Sequence, residues 1–146
     1  MNFPDRIERT IELPQRPEQV WAALTTADGL SGWFGTVTDI DLRPGADFDL
    51  HFEKEEHTAH LRIAAVEPPR RFAYTWALIT LPQDDPRRTH VEFLLEPNDG
   101  GTRLTVTETG FAQAPGEQGI EAHRMNTGGW ADCIDKLVAY LNVVHV

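Results

Sequence analysis

The chain has 146 residues, of which 40% are hydrophobic and 25% charged, a balance that predicts one globular domain over residues 1–146. Its formal net charge of −10 and pI near 4.9 argue against nucleic acid or anionic membrane as partners, because both would repel the average surface. The single cysteine, Cys133, cannot form an internal disulfide and no apolar run approaches the length of a membrane span, so we expect a cytoplasmic protein.

The chain begins with a predicted strand followed by two short helical segments. Residues 7–13 alternate apolar and polar side chains, which is the period of a strand with one face turned inward, and this phase also turns Arg9 inward. Pro17 suits the first turn of a helix, and residues 17–25 carry apolar side chains at helical spacing. Residues 30–35 then form a turn or a second small helix.

The middle of the chain has the pattern of strands separated by turns, and its first hairpin can be aligned by requiring the apolar faces to coincide. With the turn centred on residues 55–56, Phe48 pairs with Ile63 and His51 faces His60 on the outer surface. A third metal ligand at a fixed offset from these histidines is missing, so we predict no metal site. The sequence also lacks a glycine-rich phosphate loop, and we predict no cofactor.

The later hairpin has a stronger turn signal, Asp99-Gly100, because both central residues of such a tight turn need positive φ. This turn pairs Val91 with Glu108 and places Glu108 on the same inward face as Leu104. Burying an isolated carboxylate is costly, so Glu108 must be paired, hydrated or protonated there. It is either a cavity acid that contacts a ligand or transfers protons, or a strand-end charge that reaches solvent.

Between the two hairpins lies an unusually aromatic strand. Phe72, Tyr74, Trp76 and Leu78 form its inward row, which is bounded by proline on both sides. All these strands have one apolar and one polar face, which predicts an antiparallel sheet that is covered on a single side.

The predicted cover is a long helix over residues 117–143, with apolar residues at spacings of three and four. His123 and Trp130 lie two turns apart on the covering face. Gly128 and Gly129 inside this helix cost about 1 kcal/mol each relative to alanine, so we expect a reason such as close approach to the sheet or a bend.

The order of these elements and motifs resembles a known family. The motifs are residues 17–25, Leu30 to Gly35, residues 103–111, Gly129-Trp130, Leu137 and Leu141. They are similar to the family of activator-of-heat-shock-protein-90-ATPase homologues, in the START-like helix-grip superfamily that also contains plant allergens and polyketide cyclases. The resemblance covers almost the whole chain and implies an α+β fold. In this helix-grip fold a curved antiparallel sheet wraps around the long C-terminal helix, two short helices follow the first strand, and a cavity lies between sheet and helix.

Our leading hypothesis is a non-catalytic domain that binds a small apolar or aromatic ligand, or a lipid, in that cavity. It depends on the aromatic inward face and on the lack of a catalytic constellation in the sequence. The candidate ligand-binding residues are Arg9, Trp33, Phe34, Phe48, Phe52, Tyr74, Trp76, Phe93, Glu108, His123 and Trp130.

Two other hypotheses remain open. One is a cofactor-free enzyme of the cyclase or hydrolase type, with Glu108 or His123 as acid or base and Arg9 as an electrostatic clamp that pairs with Glu108. The other is an interaction module whose partner is a chaperone or a second copy of the chain, as in a homodimer. The largely polar outer face of the predicted sheet argues against the second of these.

Overall fold

A computed structural model describes residues 5–114 and 116–145 and has the predicted α+β architecture. In chain order its elements are β1 (Arg6–Leu13), α1 (Pro17–Thr25), α2 (Ala27–Trp33), β2 (Asp47–Phe52), β3 (His57–Glu67), β4 (Arg71–Ala77), β5 (Arg88–Asn98), β6 (Gly101–Thr109), a 3₁₀ turn (Phe111–Gln113) and α3 (Glu117–Val144). The bounds of α1 are those predicted from the sequence, and α3 ends one residue later than predicted.

The strands form one curved antiparallel sheet in the order β1-β6-β5-β4-β3-β2. Each strand pairs with its neighbour in sequence except β1, which pairs with β6, so the first and last strands are adjacent. Helix α3 buries one stripe of side chains, which includes Trp130, Ile134, Leu137 and Leu141. No helix of the described chain is long and apolar enough to cross a membrane.

The β5–β6 hairpin has the register that its turn predicts. Asp99 and Gly100 both have positive φ, 51° and 83°, and they connect strands in which Leu95 pairs with Leu104 and Val91 with Glu108. The prediction that Glu108 faces inward is therefore confirmed, because strand side chains alternate strictly between the two faces.

The register predicted for the β2–β3 hairpin is wrong by two residues. Its turn spans residues 53–56, with Glu56 at φ 49°, and this moves Phe48 opposite Leu61. His51 consequently faces Thr58 rather than His60. Since the shift is two residues, each side chain keeps its predicted face, although the two imidazoles do not meet.

Helix α2 begins before the predicted residue 30 because Thr26 caps it. The Thr26 hydroxyl accepts a hydrogen bond from the Gly29 amide at 2.9 Å, which satisfies one of the free donors of the first turn. Farther along α2, a Cβ atom at Gly32 would lie 2.2 Å from the Tyr140 ring. The missing side chain therefore lets α2 pack directly against α3.

Candidate ligand-binding site

The inward carboxylate of Glu108 is the centre of a buried polar cluster. Glu108 is 0% exposed and accepts hydrogen bonds from four side chains. Oε2 accepts from the Thr89 hydroxyl at 2.5 Å and the Trp76 indole at 2.8 Å, and Oε1 accepts from the Trp130 indole at 2.8 Å. The Asn126 amide nitrogen lies 3.0 and 3.1 Å from the two oxygens. We call these five residues the Glu108 cluster; it pairs a buried charge with neutral donors rather than with a cation.

The sheet register and the helix period together assemble the Glu108 cluster. Strand β5 lies between β4 and β6, pairing Thr89 with Trp76 on one side and Val91 with Glu108 on the other. Asn126 and Trp130 are four residues apart on α3, so both lie on the helix face that points toward the sheet. Three strands and one helix therefore converge on a single carboxylate.

The hydrogen bonds restrict the chemistry of Glu108. Indole NH and amide NH₂ groups only donate, so at least three of its partners require it to act as an acceptor. A carboxylate has about four lone-pair sites, and the four partners supply five contacts to them. The arrangement leaves no free site for proton transfer to a ligand, and the alternative of a solvated strand-end charge is excluded by its burial.

An apolar cavity of about 110 Å³ adjoins the Glu108 cluster. It is lined by Phe34, Phe52, His57, Ala59, Trp76, Ala77, Ile79, Gln83, Asn126, Gly129, Trp130 and Cys133. The cavity continues into an open groove of about 690 Å³ between α2, α3 and the β2–β3 hairpin, and seven residues border both spaces. An apolar cavity of roughly 150 Å³ in another protein is known to hold benzene. The inner space here is smaller, about 110 Å³, but it opens into the groove, so it suits a single small ring or branched chain.

Four of the residues that line the cavity are phenylalanine or tryptophan rings that contact one another. The Phe34 ring centroid lies 5.7 Å from that of Phe52, 5.9 Å from Trp76 and 5.6 Å from Trp130. The two tryptophans are themselves 6.0 Å apart, and both are held by Glu108 through their indole nitrogens. Because each of these four rings contacts another ring and two are also held by hydrogen bonds, the aromatic side of the cavity is pre-formed.

Glycine in α3 keeps the cavity open. A Cβ atom built on Gly129 would have no atom within 4 Å, and Gly129 borders both the cavity and the groove. Of the two reasons expected for the glycines, close approach to the sheet is therefore wrong for Gly129. Gly128 also faces open space but borders neither.

Two further titratable groups lie near the site, one at the cavity wall and one packed behind Trp76. Cys133 borders the cavity and the groove, and burial raises the pKa of its thiol to about 11. Tyr74 packs edge-on against Trp76 with ring centroids 5.1 Å apart, and its hydroxyl has no hydrogen-bond partner among the described residues. Burial, and then the charge of Glu108, raise the pKa of Tyr74 well above its ordinary value.

The predicted aromatic residues separate into two groups. Phe34, Phe52, Trp76 and Trp130 line the cavity, and Trp33 borders the groove. Phe48, Tyr74 and Phe93 are buried in the hydrophobic core and border neither space.

The predicted role of Arg9 as an inward clamp is wrong. Arg9 lies opposite Val106, on the expected face of β1, but its side chain is exposed because β1 is an edge strand from which a long side chain reaches solvent. Ile7, not Arg9, lies opposite Glu108. The expectation that β1 and β6 are neighbours is correct. The ion pair between Arg9 and Glu108 is not found among the described residues.

His123 lies away from the cavity. Its Nε2 donates to the Arg6 carbonyl oxygen at 3.1 Å, and its ring packs edge-on against Phe111 with centroids 5.2 Å apart. It shares no hydrogen-bond partner with Glu108 within the described ranges. The convergence that an acid–base pair would need is therefore not present.

Several residues of this site were not predicted from the sequence. Thr89 and Asn126 complete the Glu108 cluster, and His57, Gln83 and Cys133 add polar atoms to the cavity wall. One signal was available for Asn126, which lies four residues before Trp130 in the stripe of α3 that faces the sheet.

A curved sheet around a long helix, with an aromatic cavity between them, defines a START-like helix-grip domain. Residues 15–142 match the family model "Activator of Hsp90 ATPase homolog 1-like protein", and the chain belongs to this family. The family is part of a superfamily whose members include polyketide cyclase-like and ligand-binding proteins.

Solved structures agree with this assignment. Protein MLL2253 from Mesorhizobium loti is 25% identical, with a TM-score of 0.81 over 97% of this chain and 99% of that one. DynU16 from the dynemicin biosynthetic locus is 25% identical, with a TM-score of 0.77 over 96% of this chain and 48% of its own. The Aha1 dimer from Colwellia psychrerythraea shares the fold at 21% identity, with a TM-score of 0.74 over 97% and 98%. No curated protein shows significant similarity to the sequence.

Proposed function

We propose that this protein binds a small molecule through an apolar or aromatic group that enters the cavity between β4 and α3, without catalysing a reaction on it. The observation that carries the proposal is a pre-formed aromatic cavity of about 110 Å³ that opens into a larger groove. The cavity takes one ring or branched chain, and the groove takes the rest of the ligand.

The chemistry of the polar residues supports binding over catalysis. A general acid or base must lie within hydrogen-bond reach of the proton it moves. Glu108 is sealed beneath the two cavity tryptophans with its lone pairs occupied, and His123 bonds to the backbone of β1. Neither residue proposed from the sequence for acid–base catalysis has a free polar atom at the cavity.

Two adjacent glycines offer a matched test of this proposal. Gly129→Leu places a side chain in the space that joins cavity and groove, whereas Gly128→Leu adds the same side chain on the same helix outside both. The probe is toluene, and binding is followed through the indole NH signals of Trp76 and Trp130 in an NMR titration. We expect the wild type and G128L to bind toluene, and G129L to bind it about tenfold or more weakly. Failure of the wild type to bind toluene, or equal weakening by both variants, would contradict the proposal.

A second copy of the chain is a further proposed partner. The Colwellia relative forms a dimer, and α3 of this chain exposes apolar side chains, with Val143 73% exposed and Ile120 47% exposed. Light scattering coupled to size exclusion tests this, with a mass of about twice the 16.4 kDa of the chain expected for a dimer.

The free Cys133 thiol supports a reducing compartment such as the cytoplasm.

A further inference from the structure

We propose that the cavity selects ligands whose ring carries a hydrogen-bond donor, such as a phenolic hydroxyl, and that Oδ1 of Asn126 is the acceptor that recognises it. Glu108 is a positioning residue in this scheme, because it orients the Asn126 amide. The inference rests on the proposed function and adds the class of ligand.

The orientation of the Asn126 amide follows from the chemistry of Glu108. The amide nitrogen contacts both carboxylate oxygens, at 3.0 and 3.1 Å. A carboxylate accepts and does not donate, so the NH₂ end must face it and the amide cannot be turned around. The charge of Glu108 therefore directs Oδ1 of Asn126 away from the cluster.

The oxygen end of the Asn126 amide is unpaired within the described chain and is not buried. Asn126 borders both the cavity and the groove, and its Oδ1 forms no hydrogen bond with any residue of the described chain. Among the described residues, the buried side-chain atoms without a hydrogen-bond partner are Gln15 Oε1 and Tyr74 Oη. Oδ1 of Asn126 also lacks a partner but is not one of these buried atoms, so it is accessible. An accessible acceptor at an apolar wall is the feature that fixes how a ring binds.

The hydrogen-bond donors at the tryptophan wall of the cavity are already occupied. The indole NH groups of Trp76 and Trp130 both donate to Glu108, so neither is available to an acceptor on the ligand. Gln83 binds the His60 amide through Oε1 at 3.1 Å, and His57 stacks on Phe52, so both lie toward β3 and the β2–β3 hairpin. At the tryptophan wall the structure thus presents an acceptor beside a negative charge, which disfavours anionic ligands and favours donors.

The test compares phenol with toluene, which has the same shape but no donor, in the wild type and in Asn126→Leu. Leucine is close to asparagine in size and lacks polar atoms, so the ratio of the two affinities isolates the proposed hydrogen bond. We expect the phenol-to-toluene affinity ratio to fall about fivefold in N126L. An unchanged ratio would overturn the inference while toluene binding still upheld the proposed function, whereas absence of toluene binding to the wild type would overturn both.

Glu108→Gln tests the positioning role of Glu108 separately. Glutamine offers an NH₂ group to Asn126, which allows the amide to turn its oxygen toward residue 108 and its NH₂ toward the cavity. Anisole carries an acceptor without a donor, so the phenol-to-anisole affinity ratio should fall about fivefold or reverse in E108Q. A loss of packing alone would weaken the binding of phenol and anisole alike, so it would not change which of the two is preferred. If E108Q does not fold, the N126L ratio alone decides whether Asn126 is the acceptor.

Discussion

The space between the sheet and α3 is filled at one end and open at the other. At the closed end α1 packs on β5 and β6, and residues such as Leu24, Leu95, Leu104 and Leu141 are at most 1% exposed. At the open end the same strands and helix carry the Glu108 cluster and the aromatic cavity. The two ends therefore share one scaffold but differ in what fills it.

The difference shows how a pocket persists inside a small core. At the closed end, aliphatic side chains pack tightly around the ring pair formed by Trp21 of α1 and Phe72 of β4. At the open end, rings of fixed shape are held by hydrogen bonds to one carboxylate, and a glycine replaces the side chain that would enter the space. Rigid walls cannot collapse inward, so the cavity remains.

Replacement of Glu108, at the open end, should lower the free energy of unfolding more than any other substitution considered. Glu108→Leu leaves two indoles, a hydroxyl and an amide without their acceptor, so we expect a loss of about 4 kcal/mol in the free energy of unfolding. Urea denaturation followed by far-UV circular dichroism measures this loss. The control is Glu96→Leu, an exposed carboxylate on the neighbouring strand, which should change stability by less than about 0.5 kcal/mol. A cost below about 1 kcal/mol for E108L would mean that the cluster does not hold the open end.

Truncation at the closed end should affect stability without affecting binding. Leu104 is fully buried and borders neither the cavity nor the groove, so Leu104→Ala should lower the free energy of unfolding by about 3 kcal/mol. The folded fraction of L104A should bind toluene with wild-type affinity in the same NMR titration. A matching loss of toluene affinity would show that the two ends are not independent.

Alkaline pH should destabilise the open end through Cys133, which borders the cavity, and Tyr74, which packs against Trp76. Burial raises the pKa values of Cys133, to about 11, and of Tyr74, so the folded state keeps protons that the unfolded state releases. Stability is therefore fully present below the unfolded pKa values, near 9 and 10, and falls as pH rises above them. Urea midpoints measured between pH 8 and 11 should show this decline.

Single substitutions then assign the decline to its groups. Tyr74→Phe should remove the part above about pH 10. At neutral pH it should cost little, because it deletes a hydroxyl that has no partner among the described residues. Cys133→Ala should remove the part that begins near pH 9. If stability still declines above about pH 10 to the same extent in Y74F, the assignment to Tyr74 is contradicted.

Local patterns predicted most of the fold because each depends on neighbouring residues. Alternation assigned the inward faces, helical spacing gave α1, and Asp99-Gly100 gave the register that turns Glu108 inward. The β2–β3 register was missed because its turn contains no glycine, and Glu56 adopts positive φ without a sequence signal. The phase of Arg9 was correct, but its position on an edge strand let the side chain escape.

The amino-acid sequence by itself determined the element order, the inward face of each strand and the aromatic character of the interior, since these follow from periods of two and 3.6 residues. Only the tertiary structure decided that Trp76, Thr89, Asn126 and Trp130 meet at Glu108. That meeting depends on how the sheet curves and where α3 lies across it, which no local spacing encodes. The same packing decided that Gly129 opens into a cavity instead of pressing against the sheet.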